Sequence, residues 1–181
     1  MTRAFLGAFA ISLVLVGTVL CGAGAALAYL LVPKAPTRYA TAIFSFAVPS
    51  GWKCRREHLD HICDSGLPPH DSIVIFTLKQ RGVQDTMEAY EDHLRGPIAA
   101  VGDESRQAEF VSLKRVRIAG ADWVEGMRKN SELKNYETTY LASITAEAAV
   151  LFTFSVHEPA APERKRELRS MADSLVIYQR R

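Results

Sequence analysis

The chain is short of the residues that chemistry usually needs. Three cysteines occur in 181 residues, at positions 21, 54 and 63, and no two have the Cys-x-x-Cys spacing of a redox or zinc knuckle. There is no Gly-x-Ser-x-Gly elbow and no phosphate-cradling glycine loop. That removes the recognisable hydrolase and nucleotide-binding signatures, and no cofactor is expected. Charge of one sign is also missing. Beyond residue 32 lie all 20 acidic residues and 21 of the 22 Lys and Arg, a balance of +1. A domain so close to neutral gives no ground for nucleic-acid binding. No internal repeat or low-complexity tract breaks the chain.

The longest absence is at the start. From Ala4 to Val32 no charged residue appears, a run of 29. A membrane-crossing helix needs about 20 such residues, so this run is long enough to span with some tilt. Gly7, Gly17, Gly22 and Gly24 sit among Leu, Val, Ile and Ala, a mixture common in membrane helices. Three readings compete. Ala26-Leu27-Ala28 is a small-x-small site that fits a cleaved signal peptide. Cleavage there leaves Tyr29-Leu30-Leu31-Val32 as a greasy end, which favours an uncleaved anchor. Leu20 before Cys21 speaks against lipidation, which wants a small residue there. Arg3 on one flank and Lys34 and Arg38 on the other leave the orientation nearly balanced by charge. The very short N-terminal tail resembles an export signal and favours a domain outside. The organisation expected is residues 1–32 as anchor or signal, 33–42 as linker, and 43–181 as one domain.

Phe44, Phe46 and Val48 alternate as a strand with one buried face, and Pro49-Ser50-Gly51 stops it. Trp52 beside that turn reads as a core anchor. If Lys53 to Asp64 folds about His58-Leu59, Cys54 falls opposite Cys63 in a non-hydrogen-bonded pair. Such a pair has Cα atoms about 4.5 Å apart, compatible with a disulfide. The same ribbon spells Cys54, His58, His61 and Cys63, with His70 nearby, a composition able to ligate zinc. The spacing matches no standard zinc framework, so the metal site is the alternative and the disulfide the first reading. Asp60, His61 and Ser65 are the one catalytic triad that can be named, on nearness in sequence alone.

Ser72 to Lys79 reads as a central strand covered on both faces. Asp85 with Glu88 suggests a capping box for a helix carrying Met87, Tyr90 and Leu94, ended by Gly96-Pro97. Ile98 to Phe110 reads as an irregular loop. Val111–Ile118 and Trp123–Lys129 form a hairpin about Gly120 in a type II′ turn, which would set Trp123 against Ile118. Two period-2 strands follow, through Tyr136 to Ile144 and Val150 to Val156. A last helix begins at Pro162, with Leu168, Met171, Ala172, Leu175 and Val176 on one face. Its Arg164, Lys165, Arg166 and Arg169 are expected on a solvated face or against headgroups. The class is α+β: an N-terminal transmembrane helix, then one small domain with an antiparallel sheet flanked by helices.

Several of these residues carry a family resemblance. Phe44-x-Phe46-x-Val48-Pro49-x-Gly51-Trp52, Ile118-x-Gly120-x-x-Trp123, Tyr140 and Met171-x-x-Ser174-Leu175 resemble the PsbP-like fold. That group includes the photosystem II extrinsic protein, a Ran-binding import factor and DcrB-type bacterial envelope proteins. Gly51-Trp52-x-Cys54 looks like a bacterial branch of it. The Cys54–Cys63 ribbon and the membrane segment depart from the better-known members. The resemblance implies a non-enzyme that binds a protein or an envelope complex, and it carries over no site residue. With the anchor, it implies a single-pass protein of a bacterial inner membrane with its domain in the periplasm. The alternative is secretion after signal cleavage. A metal-binding domain and a small hydrolase remain as the other functional readings.

Overall fold

The computed structural model describes residues 35–66, 71–159 and 162–178. The proposed anchor, Ala4 to Val32, and His70 lie outside the described residues. Among those described, no helix is long and apolar enough to cross a membrane.

The first two strands, β1 (Thr37–Ala40) and β2 (Phe44–Val48), form a hairpin. The stretch expected as linker therefore contributes a strand, held by four backbone pairs and by the Tyr39 ring against Phe46. Then come β3 (Lys53–Glu57), β4 (Asp60–Asp64) and β5 (Ser72–Gln80), followed by helix α1 (Met87–Arg95). After a short ribbon of β6 (Ala99–Ala100) and β7 (Asp103–Gln107) run β8 (Glu109–Ile118), β9 (Ala121–Lys129), β10 (Tyr136–Ile144) and β11 (Ala148–His157). Helix α2 (Pro162–Asp173) and β12 (Val176–Ile177) close the domain. The large sheet has seven strands in the order β3-β4-β5-β11-β10-β9-β8, each antiparallel to its neighbour. The small sheet is β1-β2-β12.

One face of the large sheet makes the main core. Val74, Phe76, Phe152, Phe154, Leu141 and Trp123 point there and meet Phe44, Phe46 and Val48 of β2, with Leu168 and Met171 of α2. The rings interlock, with Phe44 4.4 Å from Phe76 and Phe76 4.6 Å from Phe152, centroid to centroid. Burying each such side chain is worth roughly 2–3 kcal/mol against an extended chain, an upper value. Trp52 stacks on Phe154 at 6.2 Å and anchors the start of β3. On the other face α1 packs against β8, β9 and β10, with Leu94 on Val124 and Tyr140.

Several local expectations change. Ala119 and Gly120 both take positive φ, 49° and 82°, so the hairpin has a two-residue turn and Ile118 pairs with Ala121. Trp123 consequently faces Val116, not Ile118. Ile98 to Phe110 is not irregular, since it holds the β6–β7 ribbon and the start of β8. The cap of α1 is Thr86, whose side chain accepts from the Ala89 N–H at 3.0 Å. Asp85 turns back instead to the Gly82 N–H at 2.7 Å and to Lys79 at 2.8 Å. In β5 only Ser72, Val74 and Phe76 are buried, and the opposite face is half-covered.

Candidate functional site

The β3–β4 ribbon pairs in the expected register about His58-Leu59, with Cys54 opposite Cys63. His58 takes φ 56° to make the turn. The two cysteines form a disulfide with Cα atoms 4.1 Å apart. Both sulfurs are thereby committed to each other, and neither is a thiolate ligand. His58 stands exposed at the turn, whereas His61 is 7% exposed and points into the core. Its Nδ1 shares a 2.8 Å hydrogen bond with the Tyr39 hydroxyl, and its ring lies 4.8 Å from that of Phe44. Burial first, then the Arg56 charge, holds His61 below the ordinary imidazole pKa, with Asp60 partly opposing. The four residues of the metal reading are therefore split between a bond, a turn and the core. Among the described residues no three His, Cys, Asp or Glu side chains gather as a metal site.

The triad residues are also dispersed. Neighbours along a strand face opposite sides, so Asp60 and His61 diverge. Asp60 accepts from the Thr77 hydroxyl at 2.7 Å on the side away from the main core. The Ser65 hydroxyl accepts from the Ser72 N–H at 3.2 Å. Each group is engaged in holding strands together. Where β5 meets β11, an open groove of about 800 Å³ is lined by Ile43, Leu78, Gln80, Arg81, Thr145 and Tyr178. Its hydroxyls are likewise committed, Thr145 to the Ala148 carbonyl and Tyr178 to the Ser45 hydroxyl.

Sequence reasoning missed Arg128, which is 2% exposed. Its guanidinium donates to the carbonyls of Leu94 at 2.7 Å, Ala108 at 3.3 Å, and Gly96, under the Phe110 ring. It satisfies the last carbonyls of α1, the negative end of the helix dipole. Burial lowers its pKa, partly opposed by Tyr140, yet a guanidinium stays charged in any such site. The signal was its phase. Val124, Gly126 and Arg128 alternate on one face, so a charge had to be buried there.

Three of the four cations of the α2 run are paired, Lys165 with Glu137, Arg169 with Glu125, and Arg164 with Glu167, while Arg166 is exposed. It is a ledge of ion pairs over the sheet. Another part of the sheet is only half-covered by the described residues. On the α1 face of the large sheet neither α1 nor α2 makes an extensive contact with β4 or β5. Ile62 and Ile75 pair across the strands there, next to buried Thr153 and flanked by Ile73 and Thr77. Ile62, Ile73 and Ile75 are half-buried and belong to neither core cluster.

No family model matches the chain, and no curated protein matches it. Solved structures do. Cyanobacterial PsbP (CyanoP) from Synechocystis is 14% identical, with a TM-score of 0.56 over 80% of this chain and 93% of its own. The Ran-binding protein Mog1p of Saccharomyces cerevisiae is 13% identical, TM-score 0.53, over 78% and 95%. LpqN of Mycobacterium tuberculosis, described as involved in cell envelope biogenesis, is 9% identical, TM-score 0.53, over 80% and 90%. Against a longer protein of Bacteroides thetaiotaomicron, 13% identical with a TM-score of 0.59, 80% of the chain matches but spans only 49% of that chain. At these identities the likeness carries the fold and nothing finer, and the domain described here has the PsbP-like fold.

Proposed function

We propose that this chain is a non-catalytic, membrane-anchored envelope domain that binds a protein or an envelope complex. The observation that carries the reading is the half-covered sheet face, where Ile62, Ile73 and Ile75 stand half-buried and, among the described residues, no helix is packed over them. Apolar side chains left on a sheet face are a site for another surface. Two of the structures sharing this fold support the choice of partner class and place, one named as Ran-binding and one as serving envelope biogenesis. The dispersal of Asp60, His61 and Ser65 favours binding over hydrolysis. A photo-crosslinking amino acid at Ile75, in membranes of the native host, tests it. A discrete protein adduct, missing when the same group replaces exposed Asp173, is the expected result. Adducts to lipid alone would remove the protein-binding reading.

A further inference from the structure

Among the described residues the large sheet has one long edge with no strand beyond it. β8 ends the seven-strand order, and of its ten residues only Ile118 is buried. Residues flanking a two-residue hairpin turn exchange both backbone bonds, and bonding alternates from there along the ladder. Counted from the Ile118–Ala121 pair, Ile118, Val116, Lys114 and Ser112 bond to β9. The N–H and C=O groups of Arg117, Arg115 and Leu113 consequently point away from the sheet. A bulge between Phe110 and Ser112 ends the row. The opposite edge offers less. β3 has five residues, and the same count about His58-Leu59 leaves only Arg56 and Cys54 facing outward.

Charge decides what the β8 edge can accept. Lys114, Arg115 and Arg117 fall within four residues. Glu125 pairs with Lys114, and Glu88 and Glu91 of α1 pair with Arg115. Arg117 is exposed and makes no ion pair with another described residue, although Asp122 stands opposite it on β9. A second copy joined antiparallel through this row, centred on Arg115 or Val116, would set arginine against arginine. Like charges directly opposite destabilise a sheet.

We propose that the β8 edge takes an extended acidic segment of a partner protein by strand addition. This rests on the reading that the chain binds protein and adds a second docking site, at the end of the sheet away from β4 and β5. Main-chain bonds to Leu113, Arg115 and Arg117 supply affinity, and alternate side chains supply selectivity. Acidic residues of the segment lie on the α1 side beside Arg115 and Arg117. Apolar residues lie on the other side, beside half-buried Val116. Arg117 is the discriminating charge, because Arg115 is already neutralised from α1.

The test uses full-length protein in detergent micelles and a capped heptapeptide alternating Glu and Val, with a Lys–Val peptide as its opposite. Amide hydrogen exchange is read at Leu113, Arg115 and Arg117. The expected result is at least tenfold slower exchange with the acidic peptide and no change with the basic one. Arg117→Pro deletes an outward N–H and leaves the bonds to β9 in place, so it should weaken binding at least tenfold. Should that variant not fold, Arg117→Glu gives the same loss through charge. Unchanged exchange, equal slowing by the Lys–Val peptide, or slowing by protein concentration alone would each overturn the proposal. Loss of the edge response with the Ile75 adduct intact overturns this inference alone. Loss of the adduct with the edge response intact overturns the binding reading at the open sheet face alone.

Discussion

A proton on His61 would have to enter a site lined by the rings of Tyr39, Phe44 and Phe76, with Arg56 the nearest cation and Asp60 the opposing carboxylate. The folded pKa is therefore below the unfolded one. Above about pH 6.5 both states are neutral and the group contributes no pH dependence. As pH falls below that, the unfolded chain takes the proton first. Stability is lost progressively until the folded pKa is passed. His61→Gln keeps a hydrogen-bonding partner for Tyr39 and does not titrate. Denaturant midpoints from about pH 7 to 5 should fall for the wild type and stay flatter for this variant. Parallel curves would show that His61 is not the group responsible. Asp85 acts in a separate window, because its bonds to Lys79 and Gly82 depress its pKa, and its contribution is lost only at more acid pH. At His61 and at Arg128 residue type says less than strand phase. A histidine between two cysteines looks like a ligand, and an arginine in a strand looks like surface. In each case the strand phase, shared with Cys63 or with Val124, held the correct answer.

α1 approaches β9 closely at Gly126. A Cβ built on Gly126 would come 3.0 Å from Leu94 Cδ1 and 3.5 Å from Leu113 Cδ1. Gly126 is not needed for a positive φ, so its value is the space it leaves. Gly126→Ala should cost about 1–2 kcal/mol through overpacking. Leu94→Ala in the same chain should relieve part of that, a coupling readable in a double-mutant cycle. Additive losses would mean that the cost of Gly126→Ala does not arise from its contact with Leu94. Elements of this kind differed in how far local sequence revealed them. The β3–β4 register and the strands β10 and β11 followed from turn counting and period-2 alternation, which are local. The β6–β7 ribbon was hidden because distant bonds hold it, Val101 N–H to the Ser131 carbonyl at 2.8 Å among them. The cap of α1 was displaced by one residue because Asp85, the better-looking cap, is drawn to Lys79 and Gly82.

At the scale of the whole molecule, the disulfide and the apolar N-terminal run make a joint claim about place. A disulfide closing so short a loop contributes about 2–3 kcal/mol, and such bonds persist chiefly in oxidising compartments. Under the proposed anchoring, the run of 29 uncharged residues ahead of the domain would hold it at a membrane facing that compartment. The two are separable in one experiment on protein extracted from membranes of its native host, by intact mass after alkylation with and without prior reduction. The expected outcome is the full-length mass, with Cys54 and Cys63 modified only after reduction. A mass beginning after Ala28 would replace the anchor by a cleaved signal and release the domain from the membrane. A full-length mass with both thiols modified before reduction would put the domain in a reducing compartment or its thiols on a metal. In that event the four-ligand reading of Cys54, His58, His61 and Cys63 returns. It would then require the β3–β4 ribbon to turn His61 out of the core and give up its bond to Tyr39. Zinc content measured on the same sample would decide whether that rearrangement takes place.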